Sequence, residues 1–132
     1  SAAQLDDLPD DPLVRLAGFV ANAVSAPVID ARAVSLWAAS LQLVPRDDVM
    51  RAVHEATYLQ FRDRLQGLIH DALQASGRPT TETRALAIAG NALLDGLWIE
   101  ASTLPDHFHS GEVKSIAIKA FSRLLTLELP EV

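Results

Sequence analysis

Four histidines and a scatter of carboxylates are the side chains of this sequence with the most chemical potential, and their spacing limits what they can do. His107 and His109 stand beside Asp106 in the stretch Pro105-Asp106-His107-Phe108-His109-Ser110. An H-x-H pair can offer metal ligands, but no further cysteine, histidine or H-E-x-x-H helix completes a coordination set. The plain alternative is a solvated loop. His54 and His70 are separated by more than four helical turns at about 3.6 residues per turn, so they cannot share one ion. His54 precedes Tyr58 by one helical turn and can touch it. As a general base it lacks a partner, because no G-x-S-x-G elbow occurs and the chain has no cysteine. Nucleotide phosphates lack their usual cradle, since neither G-x-x-x-x-G-K-[ST] nor G-x-G-x-x-G is present. These residues imply no metal, no cofactor and no enzyme.

A different set points to binding. Aromatic residues make up only 5% of the chain, so their positions carry information. Phe19, Trp37, Tyr58, Phe61 and Trp98 fall on four expected helices. On the fourth, Asn91, Asp95 and Trp98 follow at spacings of four and three and line one side of an otherwise aliphatic helix. An unpaired carboxylate inside a helical core is costly, so Asp95 must meet a partner or a cavity. The expectation is one pocket lined by Phe19, Trp37, Tyr58, Phe61, Asn91, Asp95 and Trp98. Aromatic faces with a carboxylate suit a small cationic or amphipathic ligand. The alternative is that the same residues fill an ordinary core.

The elements that must position these groups are marked by proline. The seven prolines separate stretches with helical periodicity, rich in Ala and Leu, and no alternating β-branched run or Asn-Gly turn interrupts them. The class is all-α, with helices expected near 12–24, 27–43, 45–76, 81–104 and 111–129. Asp11 reads as an N-cap before Pro12, and Gly77 as a left-handed residue closing the third helix. With 132 residues, 49% of them hydrophobic and 21% charged, the chain is one domain over 11–132, preceded by a linker or the end of an earlier helix over 1–10. A net charge of −6 without a basic cluster makes it a poor partner for nucleic acid. The apolar runs are too short to cross a membrane.

Two helices carry more apolar surface than one chain needs. The fourth has a row of small residues, Ala85, Ala89, Ala92 and Gly96, opposite Leu86, Leu93 and Leu97. Such a row lets another helix approach closely. The fifth has a stripe of Val113, Ile116, Ala117, Ala120, Phe121, Leu124 and Leu127, with Ile118 and Leu125 left on its other face. The surplus favours a homodimer seated on Ala85, Ala89, Ala92, Gly96, Ile116, Ala120, Phe121 and Leu124. The alternative is that other helices of the same chain cover both sides.

Leu93-Leu94-Asp95-Gly96-Leu97-Trp98-Ile99-Glu100 resembles the (I/L)-D-G-L-W-L-E stretch of TetR-type bacterial transcription regulators, and within them the branch of the choline-responsive BetI regulators. Ala31-Arg32-Ala33-Val34-Ser35-Leu36-Trp37 resembles the tryptophan-bearing helix of that branch. Pro45-Arg46-Asp47 resembles its break before a long helix, and Ser110-Gly111-Glu112-Val113 the start of its last helix. The resemblance runs from about Asp11 to Leu129. It implies a cytoplasmic regulator whose last two helices pair with their symmetry mates in a four-helix bundle. It also implies an effector pocket among the earlier helices and the helix bearing Asp95. The helix-turn-helix head of such regulators has no counterpart in this sequence. The chain therefore reads as the effector-binding and dimerisation domain alone, whose ligand shifts the DNA affinity of a head it does not contain. The second reading is a helical interaction module with no small-molecule ligand.

Overall fold

Aspartate side chains start the first three helices, each through the same local bond. In the computed structural model, which describes residues 10–25 and 28–132, Asp11 caps α1 (Pro12–Ala23) by accepting from the Leu13 N–H at 2.9 Å. Asp30 caps α2 (Ala31–Leu43) through the Arg32 N–H. Asp47 caps α3 (Asp48–Ala75) through the N–H groups of Val49 and Met50. A short carboxylate in this position satisfies donors that have no partner inside the helix, and its charge suits the positive end of the dipole. α3 ends in a Schellman motif. Gly77 sits at φ +66°, its N–H reaches the Gln74 carbonyl, and the Arg78 N–H reaches the Leu73 carbonyl at 2.9 Å. α4 (Thr83–Thr103), a 3-10 turn (Pro105–His107) and α5 (Glu112–Leu125) complete an all-α domain, with no strand among the described residues.

The helix boundaries correct the sequence reading in places. α2 begins at Ala31 and not at 27, because Asp30 is extended (φ −154°) and captures the first helical N–H. Pro27, like residues 1–9 of the expected linker, lies outside the described residues. α3 begins at Asp48 and not at 45, since Asp47 is itself the cap. α5 stops at Leu125 and not at 129. Thr126 takes a left-handed conformation (φ 54°), and the Leu127 N–H turns back to the Ser122 carbonyl.

The core lies between α1, α3, α4 and α5. Leu16 and Val20 of α1, Leu65 and Ile69 of α3, and Phe121 of α5 are fully buried. Phe121 therefore belongs to the core of its own chain, which corrects its expected place in a dimer interface. Gly90 makes room for it: a Cβ at that position would lie 2.7 Å from Phe121 Cζ. α5 is rotated relative to the expected stripe. Val113, Ala117, Ile118, Phe121 and Leu125 face inward, so Ile118 and Leu125 are not surplus. Ile116 remains 41% exposed, and Ala120 and Leu124 are half-buried. The apolar arc of this helix is wider than one face, so composition alone could not fix which part turns inward. On α4, Ala85, Ala89, Ala92 and Gly96 are all exposed.

α3 and α4 are joined by a short connection and run antiparallel. The end of α3 that carries Leu65 meets Gly90, and the end that carries Tyr58 meets Asp95. α2 crosses this second end and buries only Val34. Its start is tied to α4 by the Asp30 N–H, which donates to Ser102 Oγ at 3.1 Å.

Candidate functional site

Where α2 crosses the antiparallel pair, the helices leave a cavity of about 790 Å³. Its polar floor comes from α4. Asp95 is half-buried there, and the Tyr58 hydroxyl of α3 donates a hydrogen bond to its Oδ2. The two residues are supplied by different helices, so the bond fixes the spacing of α3 and α4 at this level. Burial, and then the bonded carboxylate of Asp95, push the Tyr58 pKa above its ordinary value of 10.0, because both disfavour the phenolate.

One turn before Asp95 on the same helix stands Asn91. It is only 6% exposed and lines the cavity, yet its side-chain amide has no hydrogen-bond partner among the described residues. The amide atoms are open to the cavity, since Arg15 Nε alone is a fully buried side-chain polar atom without a partner among the described residues, so this group is available to an occupant.

Aromatic rings form the walls in two clusters. Trp98 donates its indole N–H to the Val28 carbonyl at 2.7 Å. That bond holds the ring against Trp37 of α2, edge to face at 5.7 Å and 77°. The second cluster pairs Phe19 of α1 with Phe61 of α3 at 5.0 Å. The Arg64 guanidinium stands over Phe19, 5.5 Å from its centroid, a cation–π geometry. His54 stacks at a tilt on Tyr58, 5.0 Å between ring centroids.

All seven residues singled out for a pocket, Phe19, Trp37, Tyr58, Phe61, Asn91, Asp95 and Trp98, border this one cavity. The sequence reading did not include Asn22, Thr57, Arg64 and Leu94, nor His54 as part of the same wall. A signal existed. Asn22 lies three residues after Phe19, Arg64 three after Phe61 and His54 four before Tyr58, so each shares a helix face with an aromatic residue already chosen. The remaining histidines lie elsewhere: His107 and His109 are exposed around the 3-10 turn, and His70 lies beside Asp71. No group of three metal-ligating side chains converges among the described residues. Among them, too, no helix is long and apolar enough to cross a membrane.

Residues 12–126 match the family model described as BetI-type transcriptional repressor, C-terminal. Neither a search of curated proteins nor one of solved structures found a match.

Proposed function

Because the chain belongs to the family of BetI-type transcriptional repressor C-terminal domains, we propose that it is the part of a regulator that senses a small molecule and joins two copies. The observation that carries the sensing role is the cavity. Five aromatic rings, a half-buried carboxylate and an amide that makes no hydrogen bond among the described residues surround a space of about 790 Å³, the size and chemistry of a small-molecule site. Asp95 is the counter-charge for a cationic or amphipathic effector, and Trp37, Trp98 and Tyr58 are its π-faces. DNA contact belongs to a helix-turn-helix head outside these 132 residues. An effector that binds one relative placement of two heads better than another shifts operator affinity by that difference in binding free energy. The reading assigns the cavity to binding and to no reaction.

The joining role rests on α4 and α5. Ala85, Ala89, Ala92 and Gly96 form an exposed row of small side chains with Ile88 exposed at 37% on the same face of α4, and Ile116 of α5 is 41% exposed. A second copy seated on this row buries it.

Titration calorimetry with small organic cations and amphiphiles tests the sensing role. Saturable binding that Asp95→Asn weakens is the expected result; no binding by any of them leaves the interaction module without a ligand. Sedimentation tests the joining role. Ala92→Arg places a charge in the row and should yield monomer, because desolvating an unpaired guanidinium costs several kcal/mol, on the order of a whole interface contact. An unchanged dimer moves the interface to another face.

A further inference from the structure

The cavity has a second charged end that a purely cationic ligand does not use. Arg64 lines it opposite in sign to Asp95. Tyr58, bonded to Asp95, and Arg64 are six residues apart on α3, about 9 Å along the axis at 1.5 Å per residue. Because α4 runs antiparallel, moving from Asp95 back to Asn91 goes the same way as moving from Tyr58 toward Arg64. Asn91 therefore stands on the Arg64 side of the floor. The guanidinium is not an idle surface group. It is packed over Phe19, which is itself paired with Phe61, and it makes no ion pair among the described residues. On the α4 side of the same cavity Asn91 is only 6% exposed, and its amide, open to the cavity, makes no hydrogen bond among the described residues. A planar guanidinium and an amide NH₂ together are a donor set for a carboxylate.

Resting on the sensing role above, we infer that the cavity takes a ligand charged at both ends, with a protonated nitrogen against Asp95 and a carboxylate between Arg64 and Asn91. The chemical class is an amino acid whose amine and carboxylate are separated by a short apolar chain. The chain lies along Phe61 and Leu94, and the two charges of the ligand neutralise the two of the wall. A ligand with the cation alone leaves Asn91 unpaired and faces Arg64 as a like charge.

The test is calorimetric, on the full 132-residue chain, with three matched probes: 6-aminohexanoate, hexylamine and hexanoate. The expected result is that 6-aminohexanoate binds at least about tenfold more tightly than either single-charge probe, the ratio that one charge-assisted hydrogen bond supplies. Arg64→Gln, at an exposed position where the helix tolerates change, should erase its advantage over hexylamine. Asn91→Asp keeps the shape of the side chain and reverses its electrostatics, so it should weaken 6-aminohexanoate and strengthen hexylamine. If hexylamine binds as tightly as 6-aminohexanoate and Arg64→Gln alters neither, the two-ended ligand is overturned while the sensing role stands. If none of the three probes binds, the two-ended ligand is overturned, and the sensing role falls only if the small organic cations and amphiphiles named above fail as well.

Discussion

The two halves of α3 face different surroundings. Its buried residues, Leu65, Ile69, Ala72 and Leu73, all lie in the C-terminal half, where α1, α4 and α5 enclose it. The N-terminal half has none, and there Tyr58 and Phe61 border open space under α2. α4 is buried along its length, from Thr83 to Ser102, but its neighbours change: Gly90 is pressed against Phe121 at one level and Asp95 stands beside the cavity at the next. The lesson is that one pair of antiparallel helices can be a packed strut at one end and a binding wall at the other. The change of role is made by swapping aliphatic side chains for aromatic and polar ones along a continuous face. A ligand at the open end then acts on helices whose far ends are held fixed.

This contrast is breakable by measurement. The largest effect belongs to Phe121→Ala, which should destabilise the chain by about 3–5 kcal/mol in chemical denaturation because it hollows the filled half. Trp37→Ala, a larger deletion in the open half, should cost under about 2 kcal/mol, since that ring is already half-exposed. Equal costs would abolish the distinction between the halves.

Gly90→Ala is the next test. The added Cβ meets two atoms of the Phe121 ring below 3.0 Å, and that ring is fully buried and cannot withdraw. Overpacking of this kind costs about 1–3 kcal/mol, read as a lowered denaturation midpoint with an unaltered slope.

In the open half, Tyr58→Phe removes the bond to Asp95 and should cost at most about 1 kcal/mol. The effect should depend on pH. A hydroxyl whose folded pKa is raised contributes stability that is intact below its unfolded value of 10.0 and is lost as pH climbs toward the folded value. The gap between the two proteins should therefore narrow above pH 10. Tyr58 is the chain's one tyrosine, so phenolate absorbance titrates it alone. Asp95→Asn should bring that ionisation back toward the ordinary value.

The smallest effect is Gly96→Ala. A Cβ there meets nothing within 4 Å in a single chain. The substitution should raise the stability of the dilute monomer by about 0.5–1 kcal/mol through helix propensity. If the row seats a second copy closely, the same methyl should weaken self-association in sedimentation. Gly90→Ala and Gly96→Ala would then differ in sign in the single chain and agree in the assembly.

Much of the frame was legible in the sequence because it is local. Asp11 and Gly77 act on N–H and C=O groups within a few residues, so their roles follow from position alone, whereas Asp47, expected inside a first turn begun at Pro45, is itself the cap. The pocket was legible where aromatic and polar groups interrupt aliphatic faces, as at Asn91, Asp95 and Trp98. Arg64 and Asn22 share helix faces with Phe61 and Phe19, but that spacing alone did not single them out, because an exposed polar residue on a helix reads the same whether it borders a cavity or bulk water. The orientation of α5 was also hidden. Its apolar residues cover more than one face, and the inward turn of Val113, Ala117, Ile118, Phe121 and Leu125 depends on contacts with other helices, such as that of Phe121 with Gly90.

Trp37 and Trp98 are the only tryptophans in the chain, and they touch each other in the wall of the cavity. The intrinsic fluorescence of the protein is therefore a spectrum of that wall with no background from the packed half. Light absorbed by indole is emitted beside Asp95, with the Trp98 N–H already committed to the Val28 carbonyl. A molecule that enters the cavity changes the surroundings of this indole pair, so occupancy is read from the colour of the emission without a label.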